Sequence, residues 1–170
     1  MQRADVPSPE ALASIRLAVF DFDGVFTDNH VWVDGGGGES VRCSRADGLG
    51  LRRLAEVGVE TLVVSMETAP VVGARALKLG IQCHQGIEDK LLVLKQEAAS
   101  RGISLDDVAY VGNDVNDVEC LGAVGLPVVP ADAWPEARDQ AQWVLIRSGG
   151  EGCVREFCDA VWMAHVGARA

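Results

Sequence analysis

The sequence predicts an α/β fold, a parallel β-sheet flanked by helices, and three observations predict it. Short apolar runs alternate with helical patterns from one end of the chain to the other. Those runs are apolar at nearly every position instead of every second one, which suits strands buried on both faces. The length of 170 residues, with 48% hydrophobic and 24% charged residues, fits one globular domain with a sizeable core.

Leu17-Ala18-Val19-Phe20 reads as the first strand, Thr61-Leu62-Val63-Val64 as the second and Val108-Ala109-Tyr110-Val111 as the third. Pro127-Val128-Val129 and Trp143-Val144-Leu145-Ile146 are shorter candidates. Thr68 as N-cap and Pro70 in the first turn open a helix that closes at Gly80, with Val72, Ala76 and Leu79 on one face. Glu88 to Ser100 carries Leu91, Leu94 and Ala98 at helical spacing before Gly102 ends it. Val154, Phe157, Cys158, Val161 and Trp162 form the apolar stripe of a C-terminal helix, and core packing is its expected role. The domain is expected over 15–166, between an N-terminal tail over 1–14 and a C-terminal tail over 167–170.

One segment breaks the alternation directly after the first strand. His30-Val31-Trp32-Val33 and Ser40-Val41-Arg42-Cys43 flank Asp34-Gly35-Gly36-Gly37-Gly38-Glu39, which reads as an inserted β-hairpin with a long turn. The four glycines lack the Lys-Ser/Thr of a P-loop and open no helix, so they are expected to form a turn and not a phosphate cradle.

Fifteen basic against twenty-five acidic residues leave a formal charge of −10. That balance argues against nucleic acid as a partner, because such affinity rests on neutralising phosphates with Lys and Arg. No apolar run approaches the roughly 18 residues of a membrane span, and Asp5, Pro7, Pro9 and Glu10 interrupt any signal-peptide core near the start. A soluble, cytoplasmic protein without membrane contact is expected. The five cysteines are odd in number and contain no C-x-x-C pair, so they read as buried apolar residues. His30, His84 and His165 lie far apart, and no metal triad is expected of them.

The chemistry concentrates in Asp21-Phe22-Asp23-Gly24-Val25-Phe26-Thr27-Asp28. Open parallel sheets bind ligands beyond the carboxyl ends of their strands, and this run follows the first strand. Alternation along an extended chain puts Asp21 and Asp23 on one side, and Gly24 then lets the chain turn. Two carboxylates so close repel unless a cation lies between them or one is protonated. A hard divalent ion such as Mg²⁺ needs few protein carboxylates when substrate oxygens and water complete its shell. A carboxylate can also attack phosphorus while a neighbouring acid protonates the leaving oxygen. After the third strand, Gly112-Asn113-Asp114-Val115-Asn116-Asp117 offers further oxygen ligands at the same end of the sheet. Ser65 follows the second strand, and Lys90 opens a helix with the fixed positive charge that phosphoryl transfer requires.

These motifs, in this order, resemble a haloacid dehalogenase-superfamily phosphatase, and the match spans Leu17 to Trp162. The resemblance implies a Rossmann-like sheet without a cap domain, Asp21 as nucleophile and Asp23 as general acid/base. It also implies Ser65 and Lys90 as phosphate binders, and Mg²⁺ held by Asp21, the Asp23 carbonyl and the turn containing Asn113 and Asp114.

The hairpin in place of a cap, Arg45-Ala46-Asp47-Gly48 read as a turn, Gln85-Gly86 before Asp89-Lys90, and Gly149-Gly150-Glu151-Gly152 narrow the resemblance to the sugar-acid phosphatases. That group includes 3-deoxy-D-manno-octulosonate 8-phosphate phosphatases, nine-carbon sugar-acid 9-phosphate phosphatases and the phosphatase-like domain of some CMP-sialate synthetases. Met66-Glu67 replaces the Gly-Arg of the octulosonate type, Asn113 replaces its Asp, and Glu151 replaces its Arg. These departures point to a nine-carbon 2-keto sugar-acid phosphate as substrate, with Glu67, Lys78, Arg45 and Thr27 as substrate-binding residues and Arg42 as a further candidate. The octulosonate 8-phosphate enzyme is the alternative within the class; a non-catalytic tetramerisation module for a CMP-sialate synthetase is the alternative outside it. The resemblance further implies a homotetramer in which one subunit's hairpin covers its neighbour's site, and a CMP-sialate synthetase as a partner in the same pathway.

Overall fold

The computed structural model describes residues 6–169. Residues 1–5 and Ala170, parts of the two expected tails, lie outside the described residues. Six parallel strands, β1 (Leu17–Phe20), β4 (Glu60–Val64), β5 (Gln82–His84), β6 (Val108–Val111), β7 (Leu126–Val129) and β8 (Trp143–Val144), form one sheet in the order β5-β4-β1-β6-β7-β8. The chain builds leftward from β1 through β4 to β5, then crosses to β6 and builds rightward. The reversal falls between β1 and β6, where open α/β sheets place their ligand crevice. Register brings the strand ends level, with Phe20 opposite Val63 on one side and Val111 on the other.

Alternation along the strands feeds two cores. Ala18, Phe20, Ala109 and Val111 point to the face packed with Leu51, Leu54, Phe157 and Val161. Leu17, Val19, Val108 and Tyr110 point to the face packed with Leu94, Ala98, Cys120 and Leu121. The first face is covered by α1 (Pro9–Ala13), α2 (Ala46–Glu56) and α7 (Cys153–Ala168), and α3 (Pro70–Leu79) adds Val72 to it. The second is covered by α4 (Lys90–Ser100), α5 (Val118–Ala123) and α6 (Pro135–Gln140). The expected α/β architecture is thus present, and strands β2 (Thr27–Val33) and β3 (Glu39–Cys43) form the expected antiparallel hairpin after β1.

Several expectations need correction. Arg45-Ala46-Asp47-Gly48 is not a turn but the start of α2. Its glycines serve close packing: a Cβ on Gly50 would lie 2.9 Å from the Cys158 Cβ of α7. Thr68 does not cap α3: Ala69 precedes its first residue and no side chain caps it, while the Glu67 carboxylate fixes the approach to the helix, accepting from the backbone N–H groups of Thr68 at 2.6 Å and Ala69 at 2.8 Å. The α4 helix begins at Lys90, not Glu88, because the Asp89 side chain accepts from the Leu92 N–H at 2.8 Å and fixes the first turn. The last strand is limited to Trp143–Val144. The segment expected to be an N-terminal tail contributes α1, whose Leu12 is buried, and α7 runs to Ala168, past the expected boundary at 166.

Candidate active site

Asp21 is the first residue beyond β1, and its backbone N–H donates to the Val111 carbonyl at 2.9 Å, which seats it at the β1–β6 crevice. Its Oδ1 accepts from the Phe22 N–H at 2.7 Å and lies 2.9 Å from the Lys90 ammonium. Lys90, the first residue of α4, also pairs with Asp117 Oδ1 at 2.8 Å, so one buried cation is shared by two buried carboxylates. Burial by itself would lower the lysine pKa; the charges of Asp21 and Asp117 outweigh it, raise the pKa and keep the ammonium protonated. Burial first, and then the negative charge of Asp117, push the Asp21 carboxyl well above the usual range, while Lys90 opposes the rise. The cluster as built is therefore short of positive charge.

The turn after Asp21 is held by Thr27, whose buried hydroxyl donates to Asp23 Oδ1 at 3.2 Å and accepts from the backbone N–H groups of Gly24 at 3.1 Å and Asn29 at 3.2 Å. Burial raises the Asp23 pKa, the Thr27 hydrogen bond pulls it back, and the nearby Glu67 charge adds to the rise. A carboxyl whose pKa is raised in this way suits a general acid. Thr27 therefore orients Asp23, and its side chain is buried in that turn.

Asn113 supplies the missing piece. Its Oδ1 is buried without a hydrogen-bond partner, an arrangement that costs about 1–3 kcal/mol unless a bound group satisfies it. Asp114 is occupied otherwise: its carboxylate accepts from the Val115 N–H at 2.7 Å and caps the short turn Val115–Asp117. Among the described residues no three acidic, His or Cys side chains converge as a metal cluster. The donor set is instead mixed, an ionisable carboxylate, a backbone carbonyl and an orphaned amide oxygen in a site short of positive charge, and that set fits a hard divalent ion. Asp21, the Asp23 carbonyl and Asn113 would hold it.

Ser65 directly follows β4, and its hydroxyl accepts from the Glu67 N–H at 3.1 Å. Beside Asp23 lies a cleft of about 230 Å³ whose wall includes Asn29, His30, Glu39 and Glu67. The structure brings Asp21, Asp23, Thr27, Ser65, Lys90, Asn113 and Glu67 to one end of the sheet. Arg45, the residue before α2, and Lys78, in the last turn of α3, are exposed and do not line this cleft. Arg42 is committed to two carboxylates, Asp28 at 2.9 Å and Glu151. Tyr110 went unread in the sequence, although a tyrosine inside a fully apolar strand is a signal, since its hydroxyl must find a partner. That partner is Asp117 Oδ1 at 2.7 Å.

With this geometry in view, the chain is 35% identical over 154 residues to 3-deoxy-D-manno-octulosonate 8-phosphate phosphatase KdsC of Yersinia pestis, covering 90% of this chain and 82% of that one. The chain belongs to the KdsC family of haloacid dehalogenase-superfamily phosphatases. Members of the KdsC family are phosphoric monoester hydrolases, and the expected family and enzyme class are both met. No protein-family model matches the chain. Among solved structures, a hypothetical protein from Xanthomonas campestris superposes with a TM-score of 0.91 at 34% identity, covering 99% of this chain and 98% of that one. The 3-deoxy-D-manno-octulosonate 8-phosphate phosphatase of Moraxella catarrhalis, solved with magnesium, phosphate and the sugar acid KDO, superposes at 0.89 with 28% identity, covering 94% and 92%. No helix among the described residues is long and apolar enough to cross a membrane.

Proposed function

We propose that this KdsC-family chain is a Mg²⁺-dependent phosphatase that removes the terminal phosphate of a 2-keto-3-deoxy sugar acid, with octulosonate 8-phosphate as its first substrate. The observation that carries the chemistry is Lys90 paired with both Asp21 and Asp117 beside the unpartnered Asn113 oxygen. The relatives named above support the eight-carbon substrate further than the nine-carbon one expected from the sequence departures.

In this reading Asp21 is the nucleophile. Both of its contacts use Oδ1, which leaves Oδ2 to attack phosphorus. As the Asp21–phosphorus bond forms, the bond from phosphorus to the sugar oxygen breaks, and Asp23 donates its proton to that oxygen. Asp23, now a carboxylate, takes a proton from water; the resulting hydroxide attacks phosphorus, releasing inorganic phosphate and restoring Asp21. Lys90 and the Ser65 hydroxyl hold the phosphoryl oxygens through both steps. A divalent ion, when bound, supplies positive charge that neutralises the same oxygens.

A nine-carbon substrate is the second reading, favoured by Glu67, a carboxylate on the wall of the cleft beside Asp23. The homotetramer is supported by the hairpin, whose Val31, Trp32 and Val33 are exposed. A purely structural module has no need for three buried charged side chains, Asp21, Lys90 and Asp117, in contact. The deciding measurement is phosphate release from a panel of sugar-acid phosphates with Mg²⁺. The highest kcat/KM is expected for octulosonate 8-phosphate; preference for a nine-carbon ester selects the second reading, and full activity in Asp21→Asn overturns the mechanism.

A further inference from the structure

We propose that Tyr110 is a positioning residue for phosphoryl transfer, acting through Asp117 to hold Lys90 where it touches both Asp21 and the phosphoryl group. This rests on the phosphatase reading and deepens it.

Tyr110 stands in the middle of β6, fully buried on the face covered by α4, α5 and α6. Its hydroxyl donates to Asp117 Oδ1 at 2.7 Å, the same oxygen that receives the Lys90 ammonium at 2.8 Å. Asp117 Oδ2 accepts from the backbone N–H groups of Asn113 at 2.8 Å and Asp114 at 3.3 Å. A carboxylate offers roughly four lone-pair sites, so Asp117 is saturated. Space is equally constrained: a Cβ on Gly112 would fall 2.5 Å from the Asp117 Cγ. The carboxylate cannot turn without giving up several of these bonds.

The consequence falls on Lys90, which Asp117 and Asp21 compete to hold, at 2.8 and 2.9 Å. The tyrosine proton draws negative charge on Asp117 Oδ1 toward itself and so weakens the pull of that oxygen on the ammonium. Without the hydroxyl, Oδ1 has Lys90 alone, draws it away from Asp21, and leaves the phosphoryl oxygens with a more distant cation. The loss is greatest where charge on those oxygens is greatest, in the transition state.

Tyr110→Phe removes only the hydroxyl. With p-nitrophenyl phosphate as substrate, kcat is expected to fall about tenfold with KM changed less than twofold, and inhibition by orthovanadate to weaken by the same factor while inhibition by inorganic phosphate holds. Unchanged kcat and vanadate affinity in a variant that melts at a lower temperature would make Tyr110 a packing residue and overturn the proposal. The chain has a single tyrosine, so 3-fluorotyrosine labels this position alone and keeps its hydroxyl. Its ¹⁹F resonance is expected to shift on vanadate binding and in Lys90→Gln, and no shift in either overturns the proposal even if Tyr110→Phe does not fold. Wild-type protein that hydrolyses neither p-nitrophenyl phosphate nor any sugar-acid phosphate overturns the phosphatase reading and this proposal together; active wild-type beside an unaltered Tyr110→Phe overturns this one only.

Discussion

The carboxamide of Asn113 lies against the α-carbon of Gly24, so close that a Cβ there would fall 2.1 Å from Nδ2 and 2.9 Å from Oδ1. Gly24 also has a φ of +76°, a backbone conformation that side chains rarely adopt. The glycine thus turns the chain after Asp23 and makes room for the amide whose oxygen has no partner. In Gly24→Ala the amide must move, and the left-handed backbone costs a further ~1 kcal/mol. The expected outcome is a rise of at least tenfold in the Mg²⁺ concentration giving half-maximal activity, with a lower Tm; titration of activity with Mg²⁺ and thermal melts check both.

Asn113→Asp keeps the shape and adds a charge. In the metal-free protein the new carboxylate joins Asp21 and Asp117 around a single lysine, so the variant is expected to melt below wild type without metal. With Mg²⁺ the order reverses, because a hard cation gains an anionic ligand. A roughly tenfold lower Mg²⁺ requirement is expected, read by calorimetric titration. An unchanged requirement would show that Asn113 does not ligate the ion.

The run Asp21 to Asp28 was legible as a site because it follows an apolar strand and is joined, further along the chain, by Ser65, Lys90 and the turn Gly112 to Asp117; the two aspartates alone would also fit an acidic turn. Asn113 was legible because it follows the third apolar strand just past its end, and Lys90 because it opens a helix in the order the family resemblance requires. The start of α2 was not, because Arg45-Ala46-Asp47-Gly48 looks like a turn until Gly50, two residues on, packs against Cys158 of α7, a contact that joins positions about a hundred residues apart. The cap of α3 was misassigned because Pro70 opens the helix one residue later than a Thr68 cap requires, and Ala69 in the cap position has no side chain to accept a hydrogen bond. Lys78 was placed by the resemblance and Arg45 by its charge, and neither says which way the side chain faces; both are exposed and away from the cleft beside Asp23.

Asp47 predicts a pH effect on stability. Burial pushes its carboxyl up to about 6, against a backbone hydrogen bond from Arg155 and the charge of Arg75. Its folded value therefore lies above its unfolded one, and between the two the folded chain binds more protons. Asp47 thus adds stability as pH falls from about 6 toward 4 and removes it as pH rises through the same window. Asp47→Asn abolishes this dependence. The difference in unfolding free energy between wild type and variant is expected to change by up to about 3 kcal/mol between pH 4 and pH 7, measured by urea denaturation. A constant difference across that range would count against an ionisable Asp47 in the folded state.

The hairpin carries a prediction about assembly. A two-stranded ribbon is marginal in water by itself, and this one leaves Val31, Trp32 and Val33 51%, 57% and 62% exposed. Contact with another copy would bury that surface. Trp32→Glu is expected to convert a tetramer to smaller species in sedimentation velocity. Identical sedimentation of variant and wild type would assign the exposed stripe no role in self-association.

Asp23 separates acid catalysis from binding. Its carboxyl is raised by burial, held by the Thr27 hydroxyl and pushed further by Glu67, so near neutral pH it is better able to carry a proton than an exposed aspartate. Protonation of the leaving oxygen matters for a sugar alcohol, a poor leaving group, and matters little for p-nitrophenolate, which departs as an anion. Asp23→Asn is therefore expected to lower kcat on sugar-acid phosphates by about 10²–10⁴. Formation of the aspartyl-phosphate from p-nitrophenyl phosphate should survive, seen as a burst of nitrophenolate followed by slow turnover, because the same residue activates water in the second step. Equal losses in the burst and on sugar phosphates would assign Asp23 to holding the Asp21 turn in place and not to proton transfer.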